Sequence, residues 1–320
     1  MTIGLASDSV EVIATVTRND VDESLHHGLG VVLGADGSVV ASIGDIDAPI
    51  YPRSSLKPFQ AAAMVDAGLD LPGHLLALAA SSHSGEARHL DGTVEILQRH
   101  GLGVEALRNT PARPYGAEAR AAARAAGIAP SSLQQNCSGK HAAMLATCVV
   151  NGWSIDDYLA LDHPLQVAIS STIEALGATV EHVGIDGCGA PTHVLSLIGT
   201  ARAIREIAVS GSPVGVAMNE HPLMVGGTGR DVSEWIAAVP GLVAKDGAQG
   251  VMVLALPDGR AAALKIADGS DEVRRAVTVQ ALRHLGVDVD GEHAAVRDRV
   301  AVRVLGHGEP VGSVVPRSWS

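Results

Sequence analysis

Aromatic side chains are scarce in this sequence: phenylalanine, tryptophan and tyrosine together make up 2% of its 320 residues. Proteins that bind single-stranded nucleic acids stack the bases on such rings, so the scarcity argues against that class. The formal net charge of −12 also disfavours DNA, RNA and acidic membrane surfaces as partners, because like charges repel. The core must therefore be filled by aliphatic and alanine side chains.

Cysteine is also rare, and the three that occur, Cys137, Cys148 and Cys188, are too few for a disulfide framework. The first twenty residues lack a basic segment followed by an apolar run, so we expect no signal peptide. The longest apolar runs, such as 75–80 and 142–150, are far too short to cross a bilayer. These absences predict a cytoplasmic protein with no membrane partner.

Several common catalytic motifs are missing as well. The sequence contains neither a G-x-S-x-G nucleophile elbow nor an H-E-x-x-H zinc motif. A phosphate-binding P-loop ending at Lys140 fails, because Gln134 stands where glycine is required and His141 replaces the hydroxyl residue. The glycines of 28–34 are spaced one residue too widely for a dinucleotide-binding loop. These motifs therefore give no support for nucleotide chemistry.

Strand patterns lie at both ends of the chain, and helical patterns lie between them. Residues 8–18 are rich in β-branched side chains, and 28–45 predicts a hairpin around an Asp-Gly turn. A second hairpin is predicted over 249–268, around Pro-Asp-Gly. Helices are predicted over 53–68, 75–81, 87–100, 117–126, 140–150, 164–176, 191–209 and 271–285, with a last strand over 301–305.

This order of elements predicts an α/β (α+β) fold, in which an antiparallel sheet is built from both chain ends and a helical lobe is inserted between them. The sequence shows no internal repeat and no obvious linker. We therefore expect one two-lobed domain over 1–320. The sheet lobe would take about 1–50 and 210–320, and the helical lobe about 51–209.

The segment RSSLKP at 53–58 has two interpretations. On a helix, Ser54 and Lys57 would lie three residues apart on one face. A desolvated, neutral lysine there could take the serine proton, as in penicillin-binding proteins and class A β-lactamases. In the other interpretation Ser54 or Ser55 caps the helix, Pro58 lies in its first turn, and the lysine is solvated.

Two glycine-containing segments, 136–143 and 185–193, each place a cysteine beside ionisable side chains. Thiolate and nitrogen ligands suit zinc, so Cys137 and Cys188 predict a zinc site. From residue types alone, His141 is favoured as the nitrogen ligand, because a lysine must lose its proton to bind a metal. The alternative is a pair of buried structural cysteines. The third cysteine lies in an apolar helix and is expected in the core.

Three other segments have both a chemical and a plain structural interpretation. The serines around His83 at 80–89 could simply cap the helix that follows. The glycine-dense segment 221–231, which contains Arg230, is typical of a surface turn. Lys265 lies on an apolar strand, where a lysine most often points to a solvated face.

Six segments occur together in one order across essentially the whole chain: YPRSSLKPFQ (51–60), SSHSGE (81–86), NCSGKHAAML (136–145), DGCGAPT (186–192), HPLMVGGTGR (221–230) and ALKIAD, which contains Lys265. In this combination the sequence resembles the rhizobial-type, zinc-containing (class 3) L-asparaginases, or asparaginase II family. The resemblance implies a fold similar to serine β-lactamases and glutaminases. It also implies a homodimer that acts on a small amino-acid substrate.

The resemblance implies two serine–lysine pairs that face one substrate, Ser54 with Lys57 and Ser82 with Lys265. The reaction would be the hydrolysis of L-asparagine to L-aspartate and ammonia. Ser54 would attack the side-chain carbonyl while Lys57 takes its proton, and the second pair would relay protons to the leaving ammonia. Ser54 is preferred as the nucleophile because the helix would hold its lysine nearby.

The resemblance also implies a zinc ion, with a lysine replacing the histidine ligand favoured above. Because the serine pairs could do the chemistry alone, zinc would orient the substrate. The implied ligands are Cys137, Lys140 and Cys188, with a water as the fourth. The implied substrate-binding residues are Arg53, His141 and Asp186.

Two other functions fit the same residues. A glutaminase or another serine amidohydrolase on this scaffold differs little, because one methylene group is worth only about 1–3 kcal/mol of discrimination. The other possibility is a zinc-binding module without catalysis, in which the serines only cap helices. The Ser-Asp-Asn and Lys-Thr-Gly motifs of class A β-lactamases are missing, which disfavours lactam hydrolysis.

Overall fold

Strands from both ends of the chain meet in the computed structural model, which describes residues 4–320. The strands are β1 (Glu11–Arg18), β2 (Val21–Leu33), β3 (Val39–Ile43), β4 (Pro49–Ile50), β5 (His182–Ile185), β6 (Pro191–Ser196), β7 (Val243–Gly247), β8 (Val251–Ala255), β9 (Ala261–Ile266), β10 (Arg303–Gly306) and β11 (Glu309–Pro316).

Eight of these strands form one antiparallel sheet in the order β10-β11-β1-β2-β9-β8-β7, with β3 also paired to β2. The long β2 pairs with β1 through its first half and with β3 and β9 through its second half. This arrangement confirms the α/β fold, the sheet built from both chain ends and both hairpins. The sequence did not predict β11, because its proline and glycine weaken the strand pattern.

The helices lie mostly between the two groups of strands. They are α1 (Lys57–Asp66), α2 (Gly73–Ala79), α3 (Ala87–Arg99), α4 (Ala117–Ala125), α5 (Ser138–Asn151), α6 (Pro164–Ala175), α7 (Leu197–Val209), α8 (Pro213–Glu220), α9 (Pro222–Val225), α10 (Asp231–Ala238), α11 (Asp271–His284) and α12 (Ala294–Val300). Within residues 4–320, no helix has the length and apolar character that a membrane crossing requires.

The helix predicted over 191–209 is wrong in its first third. Residues Pro191–Ser196 form β6, which pairs with β4 and β5 in a separate three-stranded sheet. The helix begins only at Leu197, where the Ser196 hydroxyl accepts a hydrogen bond from the Gly199 N–H at 3.1 Å. Pairing with chain-distant strands decides the conformation here, and a local pattern cannot record it.

The edge strand β7 faces the start of the helical part of the chain. It packs against a 3-10 turn, Arg53–Leu56, which leads directly into α1. The approach requires Gly247, because a Cβ there would lie 2.4 Å from the Pro52 carbonyl oxygen and 2.7 Å from the Ser55 hydroxyl. The fold thereby brings the RSSLKP segment against the C-terminal hairpins.

Candidate functional site

A cavity opens where the 3-10 turn, the loop 81–86 and the turn between β7 and β8 meet. It encloses about 530 Å³, measured out to its open mouth. Both Ser54 and Ser82 line it, so the structure brings the two predicted catalytic serines to one place. The other side chains in the wall include Tyr115, Asn136, Arg230, Asp246, Gln249 and Asp271.

Lys57 lies beneath this cavity and is 1% exposed. Its ammonium group donates to the Ser81 carbonyl at 2.5 Å, to the Ser82 hydroxyl at 3.1 Å and to the Asn136 carbonyl at 3.5 Å. The Lys57 backbone N–H donates to the Ser54 carbonyl, but among the described residues no side-chain hydrogen bond joins Lys57 to Ser54. The predicted side-chain contact between Ser54 and Lys57 is therefore not found, because the Lys57 ammonium is held by the Ser81, Ser82 and Asn136 acceptors.

Arg53 sets the direction in which the 3-10 turn starts. The backbone φ of Arg53 is +55°, in the left-handed region. A residue other than glycine adopts this region rarely, and only when the surrounding structure enforces it. The guanidinium donates to Asp186 at 2.7 Å and 2.6 Å, which joins the turn to the cysteine segment 185–193. Strain of this kind is concentrated at functional sites.

The prediction that Ser54 or Ser55 caps the first helix is wrong. Leu56 occupies the cap position of α1, and no side chain forms a cap hydrogen bond there. The hydroxyl of Ser55 is buried and donates to the Lys245 carbonyl at 3.1 Å. Only Ser54 of the two neighbouring serines therefore faces the cavity.

The loop that carries Ser82 is held by its backbone. The N–H of Ser82 donates to the Val225 carbonyl at 3.1 Å, and the N–H of Ser84 donates to the Gly226 carbonyl at 2.8 Å. Between them, the His83 ring is fully buried and lies 2.9 Å from the Ser138 hydroxyl at the start of α5. Burial lowers the pKa of His83 well below its usual range, so the ring is neutral. These contacts fix Ser82 beside Lys57.

Lys265 does not pair with Ser82, which corrects the second predicted pair. Its ammonium donates to the Gln249 carbonyl at 2.6 Å and the Ile266 carbonyl at 2.7 Å, and it faces a different cavity. Burial lowers the pKa of Lys265 to about 8. The error has a simple cause: the sequence places Lys265 on a strand, but it does not show which cavity that face of the strand meets.

Sequence reasoning missed Lys245 on β7, a buried lysine whose partner Asp246 lies in the wall of the cavity. It is fully buried and donates to the Asp246 carboxylate at 2.5 Å. Burial lowers the pKa of Lys245 to about 8, although Asp246 opposes the shift. The available signal was the segment VAKDG, which places a lysine within a short strand that ends in glycine.

Of the two interpretations of 221–231, the plain surface turn is wrong for Arg230, which lies in the cavity wall. Its guanidinium donates to the Asp246 carboxylate at 2.5 Å and to the Ser82 carbonyl at 3.1 Å. It also lies over the Tyr115 ring at 4.6 Å. Burial disfavours the charged Asp246 carboxylate, yet Lys245 and Arg230 together hold its pKa far below its ordinary range. The cavity thus contains a fixed cation and a fixed anion.

Lys245 predicts a specific dependence of stability on pH. Its pKa is about 8 in the folded chain and 10.5 ordinarily, so the unfolded chain binds more protons between these values. The free energy of unfolding therefore gains a contribution that rises with pH from about 8 to 10.5. Urea unfolding at several pH values should show a smaller rise in Lys245→Met than in the wild type. If the free energy of unfolding rose equally with pH in the two proteins, the lowered pKa of Lys245 would be contradicted, because all other titrating groups are common to both.

The structure brings Cys137, Cys188 and Lys140 together in a buried cluster. The Lys140 ammonium lies 3.3 Å from the Cys188 sulfur. A hydrogen bond from Cys137 and the charge of Lys140 lower the pKa of Cys188 to about 5, so this sulfur is a thiolate. The same contact, with burial, raises the pKa of Cys137 to about 12.

The remaining predicted residues of this region lie around the cluster. The His141 ring turns away, with its Nδ1 2.7 Å from the Tyr158 hydroxyl, so Lys140 and not His141 meets the thiolate. The Asp186 carboxylate lies 3.9 Å from the Cys188 sulfur. Cys148 lies in the hydrophobic core, as expected.

The side chains of this cluster decide whether it could hold a metal ion. Among residues 4–320, no three His, Cys, Asp or Glu side chains converge as a metal-binding group. The cluster instead offers two sulfurs and the amine of Lys140, a soft donor set that suits zinc once the amine is neutral. The residues therefore fit the ion by their chemistry.

Comparison with known proteins gives one match across nearly the whole chain and several looser structural likenesses. The family model described as L-asparaginase II matches residues 14–316. No curated protein matches the chain. Among solved structures, a β-lactamase from Mycobacterium bovis is 14% identical, covers 80% of this chain and 94% of its own, and has a TM-score of 0.44.

Structures of a protein called Mglu are also similar. Its native form is 17% identical with a TM-score of 0.37, and the match covers 82% of this chain and 64% of Mglu. Its L-glutamate binding form is 20% identical with a TM-score of 0.31, and the match covers 82% of this chain and 59% of Mglu. All these TM-scores are below 0.5, so the fold assignment rests on the strand order described above.

Proposed function

This chain belongs to the L-asparaginase II family, and from that membership we propose that it hydrolyses L-asparagine to L-aspartate and ammonia in the cavity shared by Ser54 and Ser82. The observation that carries the proposal is the buried Lys57 ammonium, which lies 3.1 Å from the Ser82 hydroxyl beneath that cavity. A lysine withdrawn from water beside a serine is the arrangement that activates a hydroxyl nucleophile.

In the proposed mechanism one lysine serves both serines. Ser54 attacks the side-chain carbonyl, and its proton passes by way of the Ser82 hydroxyl to Lys57, which is hydrogen-bonded to Ser82 and not to the Ser54 side chain. The Ser82 hydroxyl, already hydrogen-bonded to Lys57, passes a proton to the leaving ammonia. Water then cleaves the acyl-enzyme. Lys265, which was expected to assist Ser82, has no part in these steps because it faces another cavity.

The fixed charges of the cavity support an amino-acid substrate. Arg230 offers a cation to the α-carboxylate, and Asp246 and Asp271 offer anions to the α-ammonium. Arg53, Asp186 and His141 lie on the side of the cysteine cluster, and we propose that they shape the site there. Family membership also supports the proposal of a cytoplasmic homodimer.

Ammonia release from L-asparagine, measured beside L-glutamine at equal concentration, tests the activity. We expect kcat/KM to be higher for asparagine. A higher value for glutamine would instead favour the glutaminase alternative, and no release from either amide would end the proposal of an amidohydrolase at this cavity.

We propose that Cys137, Lys140 and Cys188 hold a zinc ion, with Asp186 beside them. When bound there, zinc supplies a positive centre that orients the substrate. The serines and Lys57 carry the bond-making steps themselves. To hold the ion, Lys140 would give up the proton that it now donates to the Cys188 thiolate.

Removal of the metal should raise KM more than it lowers kcat, because orientation and not bond-making is lost. Metal analysis of the purified protein should find about one zinc per chain, since the cluster offers one such donor set. Cys188→Ala should lose it. Cys148→Ala is the matched control and should keep it, because Cys148 is a core residue. A metal-free protein with unchanged kcat and KM would refute the orienting role.

A further inference from the structure

A second cavity lies on the other side of Gln249 from the two serines. It encloses about 670 Å³, measured out to its open mouth. Gln249 contributes to the walls of both cavities, so it forms the partition between them. The serines and Lys57 of the reaction proposed above are absent from its lining, and of the residues proposed to shape the site only Arg53 belongs to it.

Most of the second cavity is apolar, yet among the described residues its lining contains two cations and no acidic side chain. The apolar wall comes from Leu5, Pro49, Ile50, Val194 and Ala267. The cations are Arg53 and Lys265, and the Tyr51 ring lies beside them. Such a lining favours a ligand that combines one negative group with a short hydrocarbon body.

Lys265 is the cation that can accept such a ligand. An ammonium group has three N–H donors, and two of them meet the carbonyls of Gln249 and Ile266. The third has no partner among the described residues. The carboxylate of Asp268, three residues further on, is held 2.5 Å from His26. Arg53, by contrast, already binds Asp186.

We propose that this cavity binds a small aliphatic carboxylate, with its negative group on Lys265 and its hydrocarbon part against the apolar wall. A hydrogen bond between an ammonium and a carboxylate is among the stronger ones in proteins, particularly where water is partly excluded. The apolar wall gives a reason to prefer an organic acid over a bare inorganic anion, which would leave that surface uncovered. The inference does not depend on the proposed asparaginase activity.

Calorimetric titration of the purified protein with butyrate tests the proposal. We expect saturable binding by the wild type. Lys265→Met should weaken it at least about tenfold, because the charged hydrogen bond is lost while the aliphatic stem is kept. Ala267→Leu, which adds bulk to the cavity wall and keeps the lysine, should weaken it to a similar extent. Arg202→Met, a cation change at an exposed helical position elsewhere, is the matched control and should bind as the wild type does.

Two further probes separate the contributions of charge and hydrocarbon. 1-Butanol should bind far more weakly than butyrate, because it lacks the negative group, and inorganic phosphate should also bind more weakly, because it lacks the hydrocarbon. Butyrate binding that is absent from the wild type, or unchanged in both Lys265→Met and Ala267→Leu, would overturn the proposal. Phosphate that binds as tightly as butyrate would overturn the assignment to organic acids.

Discussion

Replacing Ser54 by alanine should lower the rate of ammonia release from L-asparagine by at least about 10³-fold, because removal of a serine nucleophile has effects of this size or larger. The substitution deletes one oxygen from the cavity wall and leaves Lys57 and its three acceptors in place. Stability should therefore change little. Steady-state assays and thermal unfolding of the same preparation measure the two effects separately.

Ser55→Ala is the matched control for this experiment. Ser55 is the next residue, but its hydroxyl is buried and donates to the Lys245 carbonyl, away from the cavity. Its loss should cost about 1 kcal/mol of stability and leave most of the turnover. An equal collapse in both variants would show that the damage comes from the turn and not from a lost nucleophile.

Ser82→Ala distinguishes the roles of the two serines. Ser82 is the serine that hydrogen-bonds Lys57, and as a proton relay its loss should cost about 10²-fold, within the usual range for general acid–base assistance. An acid-quenched reaction of this variant should carry the acyl group on the peptide that contains Ser54. An acyl group found on Ser82 in the wild type would reverse the assignment.

Lys57→Met should reduce turnover by about 10²- to 10⁴-fold, because the shared proton acceptor of both serines is lost. Methionine keeps most of the side-chain volume, so the packing beneath the cavity should survive. The variant leaves the Ser81 and Asn136 carbonyls without this donor, and some loss of stability is expected. The effect on turnover is measured as kcat/KM, and the effect on stability as the free energy of unfolding in urea.

The zinc content of Lys57→Met provides an internal control, because Lys57 is not among the proposed ligands. A variant that folds, keeps its zinc and loses turnover supports the serine–lysine mechanism. A variant that retains full activity would contradict it and would favour a role for the serines that is only structural.

The order of strands, helices and strands was readable from the sequence because hydrophobic periodicity and turn residues are local properties. The hairpins around the Asp-Gly and Pro-Asp-Gly turns were confirmed by the pairing of β2 with β3 and of β8 with β9. The family resemblance predicted that Cys137, Lys140 and Cys188 lie together, and they do in the structure. Residue types alone favoured His141 instead.

The contacts inside the site were decided only by the tertiary structure. The family resemblance implied the pairs Ser54 with Lys57 and Ser82 with Lys265, but the fold places Lys57 against Ser82 and turns Lys265 to a second cavity. A spacing of three residues places two side chains on one face, but it does not decide where a long lysine side chain ends, and here distant segments hold the Lys57 ammonium. Lys245 and Arg230 join the site through packing between segments that are distant in the chain, and no local pattern records such packing.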